Sequence, residues 1–251
     1  MQNTYNTFMP AKTVVCLGDS LTCGLISANF VEMLARQFAA SHGGDFHFVN
    51  AGVNGDLAYN VLQRLDEVVA LQPDFVLLMI GTNDILSTLR LSNLWISRIS
   101  KRLPRSPTLA WYRSNLEAIV QRLKAETHAR IALASPPILG ECLDSYPNRQ
   151  LRVYNAEIQR IAGGDGLAYL PVFEHIAAYL QSNCLHAGKT HRSRLFMTAE
   201  LTLRHIFFKE SYTSISQRKG FTIMTDGVHL NEKGAALVAN VYASYLRPKD
   251  E

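Results

Sequence analysis

The sequence predicts an α/β fold, an open and mostly parallel five-stranded sheet with helices on both faces. Three observations predict it. Strand-like and helix-like segments alternate about five times along 251 residues, the pattern that a parallel sheet with crossover helices leaves in a chain. The run Phe75–Ile80 (FVLLMI) is apolar throughout, as expected of a strand covered on both faces. Apolar residues make up 47% of the chain and charged residues 18%, which provides for a large core and argues against general disorder.

Thr13–Leu17 (TVVCL) is the first strand; it is rich in β-branched residues and stops at Gly18. Asn29–Ala40 has helical spacing through Phe30, Val31, Leu34 and Phe38, and the Gly43–Gly44 pair ends it. Phe46–Val49 is the second strand, followed by a polar turn over Asn50–Asp56. Ala58–Leu71 reads as one helix closed by Pro73. After the Phe75–Ile80 strand come a helix over Tyr112–Glu126, a strand over Arg130–Ala134 stopped by Pro136–Pro137, a helix over Leu151–Ala162 and a strand over Ala168–Val172. Asn231–Leu246 is the last helix, with Asn231 as its N-cap.

No composition break divides residues 1–251, so one domain is expected, with insertions at about 86–107 and 174–224. Ligands of such sheets bind beyond the carboxyl ends of the strands, so both insertions should flank the site. The four cysteines, Cys16, Cys23, Cys142 and Cys184, form no C-x-x-C pair and no zinc spacing. Met1–Lys12 is polar, with no apolar core of a signal peptide, and no run of 18 apolar residues occurs. Reduced thiols and a cytoplasmic location are the corresponding expectations.

Chemistry concentrates in the loops that follow strands. Ser20, in Gly18-Asp19-Ser20-Leu21, stands at a strand-to-helix turn where backbone N–H groups favour negative charge. A serine hydroxyl needs a base. The best candidate is His229, in Asp226-Gly227-Val228-His229-Leu230, with Asp226 three residues earlier and able to orient the imidazole. Gly52 follows the second strand and would offer an unobstructed N–H; Asn83, in Gly81-Thr82-Asn83-Asp84, follows the third and would aim an amide at a developing oxyanion. Asp19 and Asp84 read as residues that hold loop backbone, and Asn54 as a candidate either to support the site from behind or to contact substrate. His186, His191 and His205 show no ligand pattern.

These four blocks, GDSL at Ser20, NAGVNGD at Gly52, GTND at Asn83 and DGVHLN at His229, resemble those of the SGNH hydrolases, or GDSL esterases and lipases, in family order and across about residues 13 to 246. The resemblance implies a flavodoxin-like, three-layer α/β/α sandwich. It implies an oxyanion hole of Ser20 N–H, Gly52 N–H and the Asn83 side chain, with Asp226 and His229 as triad partners of Ser20. The expected activity is hydrolysis of a small-molecule or lipid ester, carboxylesterase- or lipase-like. A carbohydrate O-acetylesterase is the alternative, and a catalytically silent binding protein a more distant one. The chemistry calls for no metal, organic cofactor or nucleic acid.

Positive charge gathers in the two insertions. Leu86–Pro107 holds Arg90, Arg98, Lys101, Arg102 and Arg105 and no acid, while Glu174–Met224 holds seven Lys/Arg against three acids. The first insertion also carries Leu86, Leu89, Leu94, Trp95, Ile96, Ile99 and Leu103, an apolar set with partly helical spacing. Basic plus apolar composition fits two arrangements: contact with acyl chains or an anionic membrane surface, or a lobe whose apolar face packs on the second insertion.

Overall fold

A computed structural model of the chain describes residues 11–42, 45–183 and 210–247. In chain order the described elements are β1 (Lys12–Gly18), α1 (Ser20–Cys23), α2 (Phe30–His42), β2 (Phe46–Gly52), α3 (Ala58–Gln63), α4 (Leu65–Val69), β3 (Phe75–Met79), α5 (Thr82–Leu89), α6 (Leu91–Ser100), α7 (Leu109–Glu126), β4 (Arg130–Ala134), α8 (Tyr146–Asp165), β5 (Ala168–Leu170), α9 (Val172–Ser182), α10 (Tyr212–Lys219) and α11 (Glu232–Leu246). The sheet is parallel throughout, in the order β2-β1-β3-β4-β5, the doubly wound, flavodoxin-like arrangement. Helices α2, α9 and α11 pack together on one face; α3, α4, α7 and α8 form the other layer. Every residue of β3 is buried, which is why FVLLMI carries no polar alternation.

Register sets where the site lies. Gly18 pairs with both Gly52 and Met79, and Met79 with Ala134. Four strands therefore end level, and the loops that follow them, bearing Ser20, the Val53–Asp56 turn, Asn83 and Glu141, leave from one edge. The strand order reverses between β1 and β3, the crevice where such sheets bind ligands.

Some boundaries differ from the sequence reading for identifiable reasons. The single helix expected over Ala58–Leu71 is broken at Arg64 (φ −114°) into α3 and α4. There the guanidinium turns beneath the loops to meet Asp56, Gly18 O and Ala51 O. β5 stops at Leu170 rather than Val172, because Pro171 has no N–H to continue a ladder and caps α9 instead. α8 begins well before Leu151, since Pro147 is tolerated in a first turn, and it runs through Gly163–Gly164 to a left-handed Gly166.

The first insertion, 86–107, is a helical hairpin in which α5 and α6 meet at an extended Arg90. Leu103 pins it to Leu57 and Trp111 in a small separate cluster. The second does not begin at Glu174 as expected: Glu174 lies in α9, a regular covering helix packed on α11, so the connection starts past Ser182. Its middle, with Cys184, His186, His191 and His205, falls outside the described residues. Cys16, Cys23 and Cys142 are free thiols.

Candidate active site

Asp19 caps α1, its Oδ1 accepting the Leu21 N–H at 3.0 Å, and so presents Ser20 at the first position of that turn. Some two hundred residues later, the strand-like pairing of Met224 with Leu230 closes a loop around Asp226–His229. Within it the Asp226 carboxylate does two jobs. Oδ1 accepts the N–H of Val228 (2.9 Å) and of His229 (2.8 Å), and Oδ2 lies 2.8 Å from His229 Nδ1. A carboxylate partner leaves the proton on Nδ1, so Nε2 faces Ser20 Oγ, 3.1 Å away, as an acceptor. Burial alone would push the Asp226 carboxyl upward, but the imidazole beside it and the two N–H groups prevail and hold it well below the ordinary carboxylate range.

The two chain ends are joined next to this contact. Leu230 N–H donates to Ser27 Oγ (3.0 Å), and Ala28 N–H donates to Leu230 O (2.9 Å). On the other side, Asn83 in the first turn of α5 donates its amide to Asp56 O (3.0 Å) and, at a longer 3.3 Å, to Asp19 Oδ2. Ser20, Asn83, Asp226 and His229 are each no more than 3% exposed.

The chain matches the profile of the GDSL-like lipase/acylhydrolase family over residues 16–237. It belongs to that family. Among solved structures, an acetylxylan esterase from Geobacillus stearothermophilus superposes with a TM-score of 0.69 at 18% identity, covering 96% of each chain. A second acetyl xylan esterase gives 0.68 at 18% identity, over 94% of this chain and all of the other. A hydrolase from the metagenome of Lake Arreo gives 0.65 at 20%, over 96% of this chain and 99% of the other. No curated protein matches in sequence. This GDSL-family chain is thus a carboxylic ester hydrolase, with small-molecule esters as its class of substrate.

One expectation for this GDSL-family hydrolase is corrected. The Gly52 N–H is not unobstructed: it donates to Asn50 Oδ1 at 3.0 Å. Gly52 is required for a different reason. A Cβ there would stand 2.1 Å from Cys23 N, so the bare backbone is what lets β2 pass against α1. The glycine of this loop in left-handed backbone is Gly55 (φ 78°), one residue before the carbonyl that holds Asn83.

Several supporting residues carry no motif of their own. Asp56, nearly buried, is bound by Arg64 Nε and by Lys101 Nζ, both at 2.8 Å. Arg64 reaches on to Gly18 O and Ala51 O, so one guanidinium ties the Ser20 strand to the Gly52 strand. The buried Glu141 carboxylate accepts the N–H groups of Thr222, Ile223 and Met224, and Gly140 N–H donates to Gly227 O at 2.8 Å. The loop after β4 thereby braces the Asp226–His229 loop. Asp84 holds backbone as read from sequence, with Oδ2 on Ala58 N–H at 3.1 Å. Burial pushes its carboxyl up to about 8, against the N–H groups that it accepts and with the nearby Asp19 charge adding to the rise. Asn54 is half-buried, and its Oδ1 is buried without a partner among the described residues. A cleft of about 1100 Å³ lies elsewhere: it is lined by Lys12, Phe46, Phe75 and Arg130, the first residues of β1 to β4, at the end of the sheet opposite Ser20.

Proposed function

We propose that this hydrolase works through an acyl-enzyme on Ser20, with His229 as general base and Asp226 as its orienting carboxylate. The observation that carries the reading is the chain of contacts Ser20 Oγ–His229 Nε2 (3.1 Å) and His229 Nδ1–Asp226 Oδ2 (2.8 Å). A base within hydrogen-bond reach and itself oriented by a third group is what an activated serine requires. Ser20 attacks the ester carbonyl as His229 takes its proton. His229 returns that proton to the leaving alcohol, and a water activated by the same imidazole then releases the acid. Catalytic mutants of the Geobacillus acetylxylan esterase replace a serine, an aspartate and a histidine, the last two spaced three apart as Asp226 and His229 are.

The tetrahedral oxyanion is assigned to Ser20 N–H and the Asn83 amide. The Asn83 hydrogen now spent on the 3.3 Å contact to Asp19 is the one released to substrate. Since Asn50 occupies Gly52 N–H, the further backbone donor in this reading is Gly55, beside the Asn83 anchor.

A second reading, a carbohydrate O-acetylesterase, is favoured by the likeness to solved structures. Two of the similar solved structures are acetylxylan esterases, and Ser20 and His229 of this chain are 2% and 1% exposed, so the nucleophile and base sit inside the fold. A panel of p-nitrophenyl esters of rising chain length beside acetylated xylo-oligosaccharides separates the two. The wild type should hydrolyse short acyl esters, and a fluorophosphonate should label Ser20. Wild-type rates from Ser20→Ala would end the reading.

A further inference from the structure

Helix α6 is amphipathic the wrong way round for a surface helix. Its inward residues are polar: Asn93 Nδ2 donates to Leu86 O (3.0 Å), and Ser97 Oγ meets Ser87 Oγ (2.7 Å). Its outward residues are Leu91, Trp95, Ile96 and Ile99, exposed by 75%, 59%, 40% and 75%. Leu91, Trp95 and Ile99 recur every four positions and so form one stripe along the helix. Among the described residues, the stripe stands exposed.

The charge around the stripe has one sign. No acid occurs between Asp84 and Glu117. Lys101 is neutralised by Asp56 and Arg113 by Glu157, but Arg90, Arg98, Arg102 and Arg105 pair with no carboxylate among the described residues. Arg98 instead lies over the Trp95 ring, 5.9 Å from its centroid. An exposed apolar stripe rimmed by unpaired arginines is complementary to a surface that offers hydrocarbon beneath a layer of anions. A second copy of this chain would bring the same four arginines against each other with no acid between them, so the charge disfavours self-association here.

We propose that α6 docks on an anionic lipid surface, with Leu91, Trp95, Ile96 and Ile99 in the boundary of the acyl chains and the arginines on lipid phosphates. Lys101, the residue after α6, holds Asp56, whose carbonyl holds Asn83. Docking therefore turns the Ser20 edge of the sheet toward the lipid. The inference concerns attachment alone and does not depend on which residue attacks the ester.

The test is co-sedimentation of the full chain with vesicles of phosphatidylcholine alone or mixed with phosphatidylglycerol, at low and high salt. Binding is expected to the mixed vesicles at low salt and to be lost at high salt. Arg90→Gln and Arg98→Gln should each weaken it about fivefold, and Ile99→Ser about tenfold. In Trp111→Phe protein, Trp95 emission should shift to the blue as vesicles are added. Absence of binding to the mixed vesicles at low salt would overturn the proposal. So would binding that Trp95→Ser with Ile99→Ser leaves unchanged, or a dimer in sedimentation equilibrium that Ile99→Ser dissolves.

Discussion

The Glu141 carboxylate accepts the main-chain N–H of Ile223 at 2.7 Å, across 82 positions of sequence. The same oxygen takes Thr222 N–H at 2.8 Å and Met224 N–H at 3.2 Å, two residues short of Asp226. Glu141 is thus a positioning residue for the loop that aims His229 at Ser20. Glu141→Ala strands several buried N–H groups, each costing about 1–3 kcal/mol. For a domain of this size it should lower Tm by roughly 10 °C and depress kcat in the protein that remains folded. Glu141→Gln keeps an oxygen able to accept and should restore most of both. Thermal melts beside kcat for the two variants check this; equal behaviour of Ala and Gln would mean that the carboxylate cage does not position the loop.

The relay proposed for Ser20 makes a graded prediction. Ser20→Ala should lower kcat by roughly 10⁴–10⁶-fold, and Asp226→Asn by about 10⁴-fold through loss of the correct imidazole tautomer. Steady-state kinetics on a short-chain ester measures both. An Asp226→Asn enzyme within a few-fold of wild type would remove Asp226 from the relay.

Asp84 gives a stability signature whose sign can be worked out. Its carboxyl is raised from 3.8 to about 8 in the fold, so the folded chain keeps a proton that the unfolded chain loses. Below about pH 4 the group is neutral in both states and adds no pH dependence. Stability falls as pH rises from about 4 to about 8 and is level beyond. Asp226, held low, works in the opposite sense, contributing stability above the ordinary carboxylate range and losing it as pH falls. Melting temperatures of wild type and Asp84→Asn across pH 4–8 should diverge, with the wild type losing ground at the alkaline end; parallel curves would contradict the assignment.

Arg64 should not be replaceable by lysine. Its fork spans Asp56 Oδ2, Gly18 O and Ala51 O at 2.8–3.1 Å, a geometry that an ammonium cannot reproduce. Arg64→Lys should destabilise the fold by about 2–3 kcal/mol and lower kcat, because Gly18 leads into Ser20. Lys101→Met, at the rim of the same Asp56, should cost less. Denaturant titration of the two variants decides the order, and a Lys101→Met cost above that of Arg64→Lys would reverse the assignment.

Local regularities carried most of the fold. FVLLMI announced a strand covered on both faces, helical spacing through Phe30, Leu34 and Phe38 announced α2, and the Asn231 cap appears as read, its side chain accepting Gly234 N–H at 3.0 Å. Residues of the site with a short motif around them were legible too: Ser20, Asn83, Asp226 and His229 converge at one strand edge. Glu141, Ser27, Arg64 and Lys101 were not legible, because each acts on backbone groups or charges that only the folded chain brings near. Nothing beside Glu141 in sequence shows that its partners are N–H groups some eighty residues later.

The sequence by itself determined the alternation of elements, the buried parallel sheet and the residue types able to attack and relay a proton. Those are properties of hydrophobic period and side-chain chemistry, complete within a few consecutive positions. Only the tertiary structure decided that Gly18, Gly52 and Met79 end level, that Asn50 occupies the Gly52 N–H, and that α6 turns its apolar stripe to the outside. Each depends on which surface packs against which. Hydrogen bonds and burial between distant segments are set by strand order and register, and a local pattern does not encode them.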